Sequence, residues 1–485
     1  MIPTPRSALR LAALLPIARA AHAALLAIAP ATLAALLAMV PATLAAQSDG
    51  PVARQYRATA DRIIDAAVAD HAAAWNTLAR FTDFSGHRFT GTPALERGID
   101  WVLAEMRREG LDNVRGEPAM VPHWVRGRES VTLTQPRVAN LPMLGLGGSI
   151  GTPAGGISAD VMVVTSFDDL SARAAQARGK IVLFDVAFTN YGATVAYRSG
   201  GATAAARAGA VAALVRSVTP YSMRTPHTGA MTYDSTVTKI PAAAITVEDA
   251  LMIHRMIDRG ERVSVRLEME AQLLPDVPSR NAIGEIRGSE RPDEVVVLGG
   301  HIDSWDVGNG AMDDAGGLVV AWEALRLIRK LGLTPRRTIR VVGWTNEETG
   351  GRGARAYRDA HQSEADKHVL VVESDGGVFA PSGFGFTGSD SARAIARQIG
   401  GLLARIGAGN VGAAGGGADI GPMMQLGVPG ASLEVDGSKY FWFHHTEADT
   451  VDKLDPAEMQ RCVALMAVLA FITADLPERL PRAAR

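Results

Sequence analysis

The chain has 485 residues, of which 47% are hydrophobic and 21% are charged, and its formal net charge is -2. This composition is typical of a globular protein large enough to form two or more domains, and it excludes a disordered chain. Because there is no basic surplus to bind phosphates, nucleic acid is not expected as a partner.

The N-terminal segment has the features of an export signal. Three arginines precede an Ala/Leu-rich stretch, residues 20–46, which contains no Asp, Glu, Lys or Arg and ends in small residues suited to signal peptidase. We therefore predict a signal peptide over residues 1–46 and an exported chain, periplasmic or secreted in a bacterium, with no membrane contact after cleavage. A retained anchor is the alternative, because the stretch is long enough to cross a bilayer, but Pro30 and Pro41 argue against it.

Cysteine content adds to this interpretation. Cys462 is the only cysteine in the sequence, so no intrachain disulfide can form. The chain also has no cysteine near residue 46 that could accept a lipid anchor. We expect an exported protein that folds without disulfides.

The first strong structural signal in the mature chain is a helix that begins at Pro93. Thr92 precedes this proline, apolar residues follow at helical spacing, and Gly110 comes just after the last of them. We assign residues 47–125 to the N-terminal part of the main domain.

The sequence changes character over residues 126–278. Short apolar runs such as 180–184 and 211–215 alternate with Gly/Pro turns, and an Ala-rich helix is predicted at about 194–208. We interpret this region as a separate, β-rich module inserted into the main domain.

A regular alternation of strands and helices predicts that the main domain resumes over residues 279–485. An α/β fold follows, with a mainly parallel mixed sheet flanked by helices. Its last helix is expected to start at Asp455-Pro456, an N-cap followed by a proline in the first turn. The other predicted elements are strands 294–300, 338–344, 368–373 and 383–387 and helices 314–331, 352–361 and 389–406.

Residues that can bind metal follow these predicted strands or precede the last helix. Each group alone is weak evidence, since a histidine at a strand end is more often structural and paired glutamates usually lie on a solvated surface. Strand ends in an open α/β sheet meet at one edge, so the groups together predict a metal site there. The four groups are His301-Ile302-Asp303 with Asp313, Asn346-Glu347-Glu348, Glu373-Ser374-Asp375, and His444-His445.

The mixture of imidazole and carboxylate indicates which metal fits. These ligands suit Zn²⁺, and a carboxylate shared between ions suits two metals about 3.5–4 Å apart. Co²⁺ or Mn²⁺ can substitute in such a site. One further carboxylate should stay free of metal and act as the general base, a task for one member of the pair Glu347 and Glu348.

The ordered motifs HxD, DD, NEE, ESDGG and HHTEADT resemble those of the di-zinc aminopeptidase-like metallopeptidase family, and most closely its plasma glutamate carboxypeptidase (carboxypeptidase Q) branch. The resemblance covers nearly the whole mature chain. It implies a zinc-exopeptidase fold of the phosphorylase/hydrolase-like type. It also extends to the insert, residues 126–278, where the segments 179–184, 198–202 and 239–242 resemble a protease-associated domain.

The resemblance also implies a ligand set for two Zn²⁺ ions per chain. One ion would be held by His301 and Asp375, and the other by Glu348 and His445. Asp313 would bridge the two ions.

Further residue roles are implied in the same way. Glu347 would take a proton from the attacking water and return it to the leaving amine. Asp303 would orient the His301 ring through a hydrogen bond. His444 stands where some relatives have a tyrosine that stabilises the oxyanion, although a packing role in the aromatic segment 440–443 is the alternative.

The activity implied is that of an exopeptidase acting on dipeptides or other short peptides, with a homodimer as the expected assembly. An aminopeptidase acting on longer peptides is the alternative. A glutaminyl-cyclase-like enzyme and a non-catalytic binding protein of the same fold are less favoured, because all five ligand positions are filled. Asp419 is a further candidate for contacting a substrate amine or supporting a ligand, and a helix N-cap role is equally compatible.

Two other hydrolase classes are weighed against this interpretation. Gly147-Gly148-Ser149-Ile150-Gly151 matches G-x-S-x-G, but the Thr-Pro and Gly-rich residues after it would not start the helix that a nucleophile elbow needs. A related family of di-zinc carboxypeptidases and amidohydrolases places its extra domain later in the chain. Here the insert comes before His301, which favours the aminopeptidase-like family.

Overall fold

The computed structural model describes residues 50–482, and the predicted signal segment, residues 1–46, lies outside them. The described strands, in chain order, are β1 (Asp112–Val125), β2 (Glu129–Gln135), β3 (Ala139–Leu141), β4 (Met143–Gly145), β5 (Ile157–Val164), β6 (Ile181–Phe184), β7 (Ala212–Arg216), β8 (Ala242–Ile245), β9 (Ser264–Met269), β10 (Gln272–Ile286), β11 (Arg291–His301), β12 (Arg337–Trp344), β13 (His368–Glu373), β14 (Pro381–Thr387), β15 (Asn410–Gly412) and β16 (Gly430–Val435).

The described α-helices, in chain order, are α1 (Pro51–Ala69), α2 (Ala73–Ser85), α3 (Pro93–Arg108), α4 (Phe167–Ala172), α5 (Ala174–Ala177), α6 (Tyr191–Arg207), α7 (Val247–Asp258), α8 (Gly316–Lys330), α9 (Arg352–His361), α10 (Asp390–Leu402), α11 (Gly421–Met424), α12 (Tyr440–Phe443) and α13 (Pro456–Asp475).

The main sheet is mixed, with the strand order β1-β10-β12-β11-β13-β16-β14-β15. Its four central strands, β12, β11, β13 and β16, run parallel to one another. Strands β10 and β14 join this centre in the antiparallel direction. The loops that follow the central parallel strands therefore leave the sheet at a common edge, as the sequence predicts.

Strand β11 shows why this sheet is buried on both faces. Val296 and Leu298 point to one face, into a core shared with α8 and α13, whereas Val295 and Val297 point to the other, against residues of α9 and α11. Successive side chains of a strand alternate between faces, so a continuous apolar run needs a layer of helices on each side.

Helix α13 is the most apolar helix of the main domain. It is long and apolar enough to cross a membrane, but 83% of its apolar window is buried inside the protein, which identifies it as a core helix. The Asp455 carboxylate accepts hydrogen bonds from the N–H groups of Ala457 and Glu458, and Pro456 follows in the first turn. The predicted start of this helix is confirmed.

The second sheet lies wholly within residues 129–269 and has the order β3-β2-β9-β5-β6-β7-β8-β4. Strands β5 to β8 are parallel, and α6 packs on the sheet. The region is thus a mixed sheet with helices rather than simply β-rich. The predicted boundary at residue 278 falls inside β10, and the protease-associated identity of this part stays a prediction.

The alternation predicted after residue 281 is confirmed, with small shifts at the ends of elements. The helix predicted from residue 314 begins at Gly316, and the one predicted over 389–406 ends at Leu402, before a short 3₁₀ turn. Strands β15 and β16 are not predicted from the sequence. They are short or lie in Gly-rich surroundings, so local pattern gives them little signal.

Candidate metal centre

The ends of three parallel strands bring the predicted site residues together. In the register of the sheet, His301 at the end of β11 lies beside Trp344 at the end of β12, and Gly299 lies beside Glu373 at the end of β13. The loops after these strands carry the HxD, NEE and ESD groups. All four groups of residues predicted from the sequence meet at this edge.

The first cluster at this edge joins His301 to two carboxylates. Nε2 of His301 lies 3.0 Å from Oδ1 of Asp313 and 3.5 Å from Oδ1 of Asp375. One ligand atom from each of the three residues falls within 4.8 Å of the others, close enough for a single metal ion to bind all three.

The second cluster forms around His445. Its Nε2 lies 3.0 Å from Oε2 of Glu348 and 3.3 Å from Oδ2 of Asp313. Asp313 therefore directs one carboxylate oxygen to each cluster, which is the arrangement expected of a bridging ligand.

Unpaired buried oxygens support a metal at this site. Oδ2 of Asp313 and Oε1 of Glu348 are buried and accept no hydrogen bond from the described residues. Leaving such acceptors unsatisfied is costly, whereas a cation would satisfy them. Together with the imidazoles, these carboxylates form a donor set that fits Zn²⁺.

The pKa values show a strong negative field at the site. Burial alone would lower the pKa of His301, but Asp313 and Asp375 raise it well above its usual value. Burial would likewise lower the pKa of His445, but Glu348 and Asp313 raise it to about 10. Burial raises the pKa of Glu348 to about 7; His445 opposes this shift and Asp313 adds to it. A field that stabilises imidazolium also stabilises a divalent cation.

Asp303 contacts the His301 ring through its main chain and other neighbours through its carboxylate. The Nδ1–H of His301 donates to the main-chain carbonyl of Asp303 at 2.9 Å, while the carboxylate is 3.9 Å from Nδ1. This bond leaves Nε2 free to bind metal. The ring is therefore oriented by the main chain of Asp303, while the Asp303 carboxylate accepts from the Thr90 hydroxyl at 2.7 Å and from the Glu347 N–H.

A sharp turn positions Glu347 and Glu348. Asn346 has a φ of +64°, in the left-handed region that Asn tolerates better than most residues, and its side chain accepts a hydrogen bond from the Arg352 N–H. The turn directs Glu347 to the wall of the cavity at the metal centre. Burial raises the pKa of Glu347 well above its usual value, His301 opposes this shift and Asp375 adds to it.

The loop that carries Asp313 is held by two carboxylates. Asp449 accepts hydrogen bonds from three consecutive N–H groups, of Ala311, Met312 and Asp313, at 2.7 to 3.1 Å. Asp314 accepts from the N–H of His301 at 3.0 Å and so ties the loop to β11. A Cβ at Gly300 would approach Oδ2 of Asp314 to 2.4 Å, so only glycine allows this close packing.

His444 lies nearer the metal centre than a packing role requires. Its Nε2 is 3.5 Å from Oδ2 of Asp313, and its ring stacks on His445 at 3.5 Å between centroids. It also forms a potential metal-binding group with Asp313 and His445. Burial and the adjacent His445 lower the pKa of His444 well below its usual value, so the ring is neutral.

The second sheet contributes a loop that supports these histidines. His227, buried in this loop, places Nδ1 2.7 Å from the main-chain carbonyl of His444. Burial lowers the pKa of His227 to about 3, so this histidine is neutral and structural.

Ser149 of the G-x-S-x-G match is buried against the second sheet, where its hydroxyl accepts a hydrogen bond from the Ala242 N–H. In the described part of the chain, no general base is hydrogen-bonded to the Ser149 hydroxyl.

A cavity of about 320 Å³ opens onto the metal centre. Most of its wall comes from the main domain, but part of it comes from α6, which packs on the second sheet. The lining residues are Tyr191, Arg198, Asp313, Glu347, Glu348, Asp375, Tyr440, Phe441, His444 and His445.

Several residues of the site are not predicted from the sequence. Arg88 is fully buried and donates to the carbonyls of Ile302, Asn309 and Gly310, which shapes the loop after β11. Nothing local marks such an arginine, because these three carbonyls lie more than 200 residues away. Asp449 has a weak signal, since it lies in the HHTEADT motif.

Comparison with known proteins is decisive for the family. The model of peptidase family M28 matches residues 281–470. Carboxypeptidase Q of Xenopus laevis is 49% identical over 429 residues, which cover 88% of this chain and 92% of that protein. This chain belongs to peptidase family M28. It is a zinc metallopeptidase similar to carboxypeptidase Q.

Solved structures agree with the M28 fold. A peptidase M28 precursor from Shewanella amazonensis SB2B superposes with a TM-score of 0.86 at 35% identity and covers 89% of this chain and 100% of that one. The zinc aminopeptidase BSAP from Bacillus subtilis superposes with a TM-score of 0.61 at 21% identity, over 82% of this chain and 93% of that one, and shares the fold. The mixed α/β class predicted from the sequence is confirmed.

Proposed function

We propose that this M28 peptidase is an exported di-zinc exopeptidase that hydrolyses dipeptides and other short peptides. The observation that carries the proposal is the placement of Asp313, whose two oxygens face His301 on one side and His445 on the other. Two ions bridged by one carboxylate fit this arrangement. Asp375 would complete the first site and Glu348 the second.

When bound, the zinc ions supply Lewis-acid chemistry, acidifying water and polarising the peptide carbonyl. Glu347, on the cavity wall, takes the proton of the attacking water and delivers it to the leaving amine. The hydrogen bond from the Glu347 N–H to Asp303 keeps this residue in place. His444, a neutral ring beside the centre, would donate a hydrogen bond to the oxyanion.

The preference for short substrates is supported by the enclosure of the site. The cavity of about 320 Å³ is bounded on one side by α6, a boundary that suits a short peptide better than a long one. An aminopeptidase acting on longer peptides is the second candidate. It is supported by the shared fold of the Bacillus subtilis zinc aminopeptidase.

Export, domain identity and assembly complete the proposal. Export is supported by the N-terminal sequence pattern of residues 1–46. The second sheet would be a protease-associated module that bounds the cleft. A homodimer is the proposed assembly, and analytical ultracentrifugation of the mature chain is its test.

Hydrolysis of a small peptide panel tests the activity. Free Ala-Ala, N-acetyl-Ala-Ala and Ala-Ala amide are compared with the zinc-loaded enzyme, with and without a chelator. A dipeptidase loses activity with either block, whereas an aminopeptidase loses it with N-acetylation alone. Chelation should abolish turnover, and zinc should restore it. Unchanged hydrolysis in the chelated enzyme would contradict the metal mechanism.

A further inference from the structure

The end of α8 that is remote from the metal centre opens onto a second cavity. Helix α8 begins at Gly316, three residues after Asp313, and ends at Lys330. At about 1.5 Å per residue, its 15 residues place the two ends about 22 Å apart. The cavity at the far end, which we call the basic cavity, has a volume of about 580 Å³. Its lining residues are Ala73, Asn76, Thr77, Arg80, Arg108, Glu109, Arg326, Arg329 and Lys330.

Basic side chains dominate the wall of the basic cavity. Five of its nine lining residues are Arg or Lys, and Glu109 is the one acid among them. The basic residues come from three helices, α2, α3 and α8. The whole chain has a formal net charge of -2, so composition alone does not produce such an excess. Because like charges repel, five basic side chains around one space require compensation.

On the α2 and α3 side of the basic cavity, two arginines share one carboxylate. Glu105 lies 3.1 Å from Nη1 of Arg80 and 2.6 Å from Nη2 of Arg108. Two positive charges therefore stand against one negative charge, and Glu105 itself does not line the cavity. Both arginine side chains are more than half exposed, so they are free to turn towards a ligand.

On the α8 side, a carboxylate is again shared. Asp70 lies 3.4 Å from Nζ of Lys330 and 3.8 Å from Nη2 of Arg326, which has a further partner in Glu323. The exposed Arg329 side chain forms no hydrogen bond or ion pair with the residues that the structure describes. Arg329 is therefore a basic group of the wall without a counter-ion.

Helix termini account for only part of this arrangement. Basic residues in the last turn of a helix interact favourably with its dipole, and Arg108 in α3 and Arg329 and Lys330 in α8 have this position. Arg80 lies inside α2, and Arg326 lies before the last turn of α8. The dipole explains neither of these two, so their place on the same wall favours a bound anion.

The acid of the wall has an oxygen that no described residue satisfies. Oε2 of Glu109 is buried and has no hydrogen-bond partner in the described chain. Burial raises the pKa of Glu109 and Glu323 adds to this shift, whereas Arg326 opposes it. A carboxyl group that keeps its proton more firmly can donate a hydrogen bond to an anionic ligand. Glu109 is therefore compatible with an anion in the basic cavity.

We propose that the basic cavity binds a phosphate group with at least two negative charges, held by Arg80, Arg108, Arg326, Arg329 and Lys330. The forked N–H donors of a guanidinium match the oxygens of a phosphate, and several guanidinium groups around one space fit a multiply charged anion. The volume lies in the range of small-molecule sites, which suits a small phosphorylated compound. The headgroup of an anionic lipid is the other source of the same chemistry.

Isothermal titration calorimetry of the zinc-loaded enzyme with inorganic phosphate tests the site. We expect saturable binding to wild type, with a Kd raised about 10-fold by Arg329→Gln and about 100-fold by the double variant Arg326→Gln/Arg329→Gln. Arg329→Lys, which keeps the charge, should recover part of the loss. Arg107→Gln is the matched control, because Arg107 lies beside Arg108 in the last turn of α3 but does not line the basic cavity.

Phosphate can also bind zinc, and the double variant separates the two sites. Equal phosphate binding by wild type and the double variant would place the anion at the metal centre and overturn the proposal. The measurement uses no peptide, so its result does not depend on the proposed exopeptidase function.

Co-sedimentation with vesicles of phosphatidylcholine and phosphatidic acid identifies the source of the phosphate group. Vesicle binding that is lost in the double variant supports the site and assigns it to a lipid headgroup. Binding of free phosphate without vesicle binding supports the site and assigns it to a small phosphorylated compound. If wild type binds neither free phosphate nor these vesicles, the proposal is overturned.

Discussion

The carboxylate of Asp303 accepts a hydrogen bond from the main-chain N–H of Glu347 at 3.0 Å. The bond links the loop after β11 to the loop after β12, so Asp303, two positions after His301, fixes the position of the proposed base Glu347. It joins parts of the site that are 44 residues apart in the sequence.

Replacing Glu347 tests its role in proton transfer. Glu347→Gln keeps the size of the side chain but cannot accept a proton, so we expect kcat to fall about 10²- to 10⁴-fold. Zinc content, measured by atomic absorption, should equal that of wild type. The exposed Glu478→Gln is the control, and turnover near wild type in Glu347→Gln would remove this residue from the mechanism.

Asp303→Ala separates positioning of the base from orientation of the metal ligand. The His301 ring is held by the carbonyl of residue 303, which alanine retains, so zinc should stay bound. Glu347 loses its backbone anchor, and we expect kcat to fall about 10- to 100-fold. Loss of zinc in this variant would show that the carboxylate, not the carbonyl, orients His301.

Metal content can decide between two alternative roles of His444. If His444 donates a hydrogen bond to the oxyanion, His444→Phe should lower kcat about 10²- to 10³-fold while both zinc ions remain. If His444 is instead a zinc ligand, the same replacement should release metal. His301→Ala is the comparison that should lose zinc, and zinc loss from His444→Phe to the same extent would contradict the donor role.

Asp449 is expected to control metal affinity without touching the metal. In Asp449→Asn one oxygen is replaced by an NH₂ group, so the three N–H groups of the Asp313 loop lose part of their acceptor. We expect zinc affinity to fall about 10- to 100-fold in a chelator competition, with a lower Tm. The exposed Asp452→Asn is the control. Unchanged affinity in Asp449→Asn would show that the loop keeps its shape without this acceptor.

Stability should depend on pH through His368, which lies away from the metal centre. Burial lowers its pKa from 6.5 to about 4, and Arg340 adds to the shift. The unfolded chain therefore binds the proton more readily, and stability contributed by the neutral ring is present above about pH 6.5 and lost as the pH falls towards 4, up to about 3 kcal/mol. Urea unfolding at pH 7 and pH 5 should show a smaller loss in His368→Asn than in wild type. The exposed His71→Asn is the control, and equal losses in wild type and His368→Asn would refute the role of His368.

Much of the main domain can be predicted because its signals are local. The start of α13 follows from Asp455 and Pro456, and the burial of β11 follows from its unbroken apolar run. The motifs predict the meeting of His301, Glu348 and Asp375 because parallel strands end at one edge. None of these predictions needs knowledge of distant contacts.

The remaining features depend on contacts between distant parts of the chain. Arg88 acts through carbonyls more than 200 residues away, and Arg198 reaches the cavity only because the second sheet packs beside the metal centre. The bond from His301 to the carbonyl of Asp303 also cannot be predicted, since sequence spacing permits either oxygen. Side-chain identity gives the chemistry, but packing decides which atom performs it.

The three bonds that Asp449 makes to the Asp313 loop have a consequence for biosynthesis. The loop is translated 136 to 138 residues before the carboxylate that holds it, as the separation of the hydrogen-bonded residues in the sequence shows. A growing polypeptide that ends before residue 445 contains His301, Glu348 and Asp375 but lacks both His445 and Asp449, the group that holds the Asp313 loop. Removal of residues 445–485 would keep all sixteen described strands but take away a proposed zinc ligand, His445, and the group that anchors the Asp313 loop.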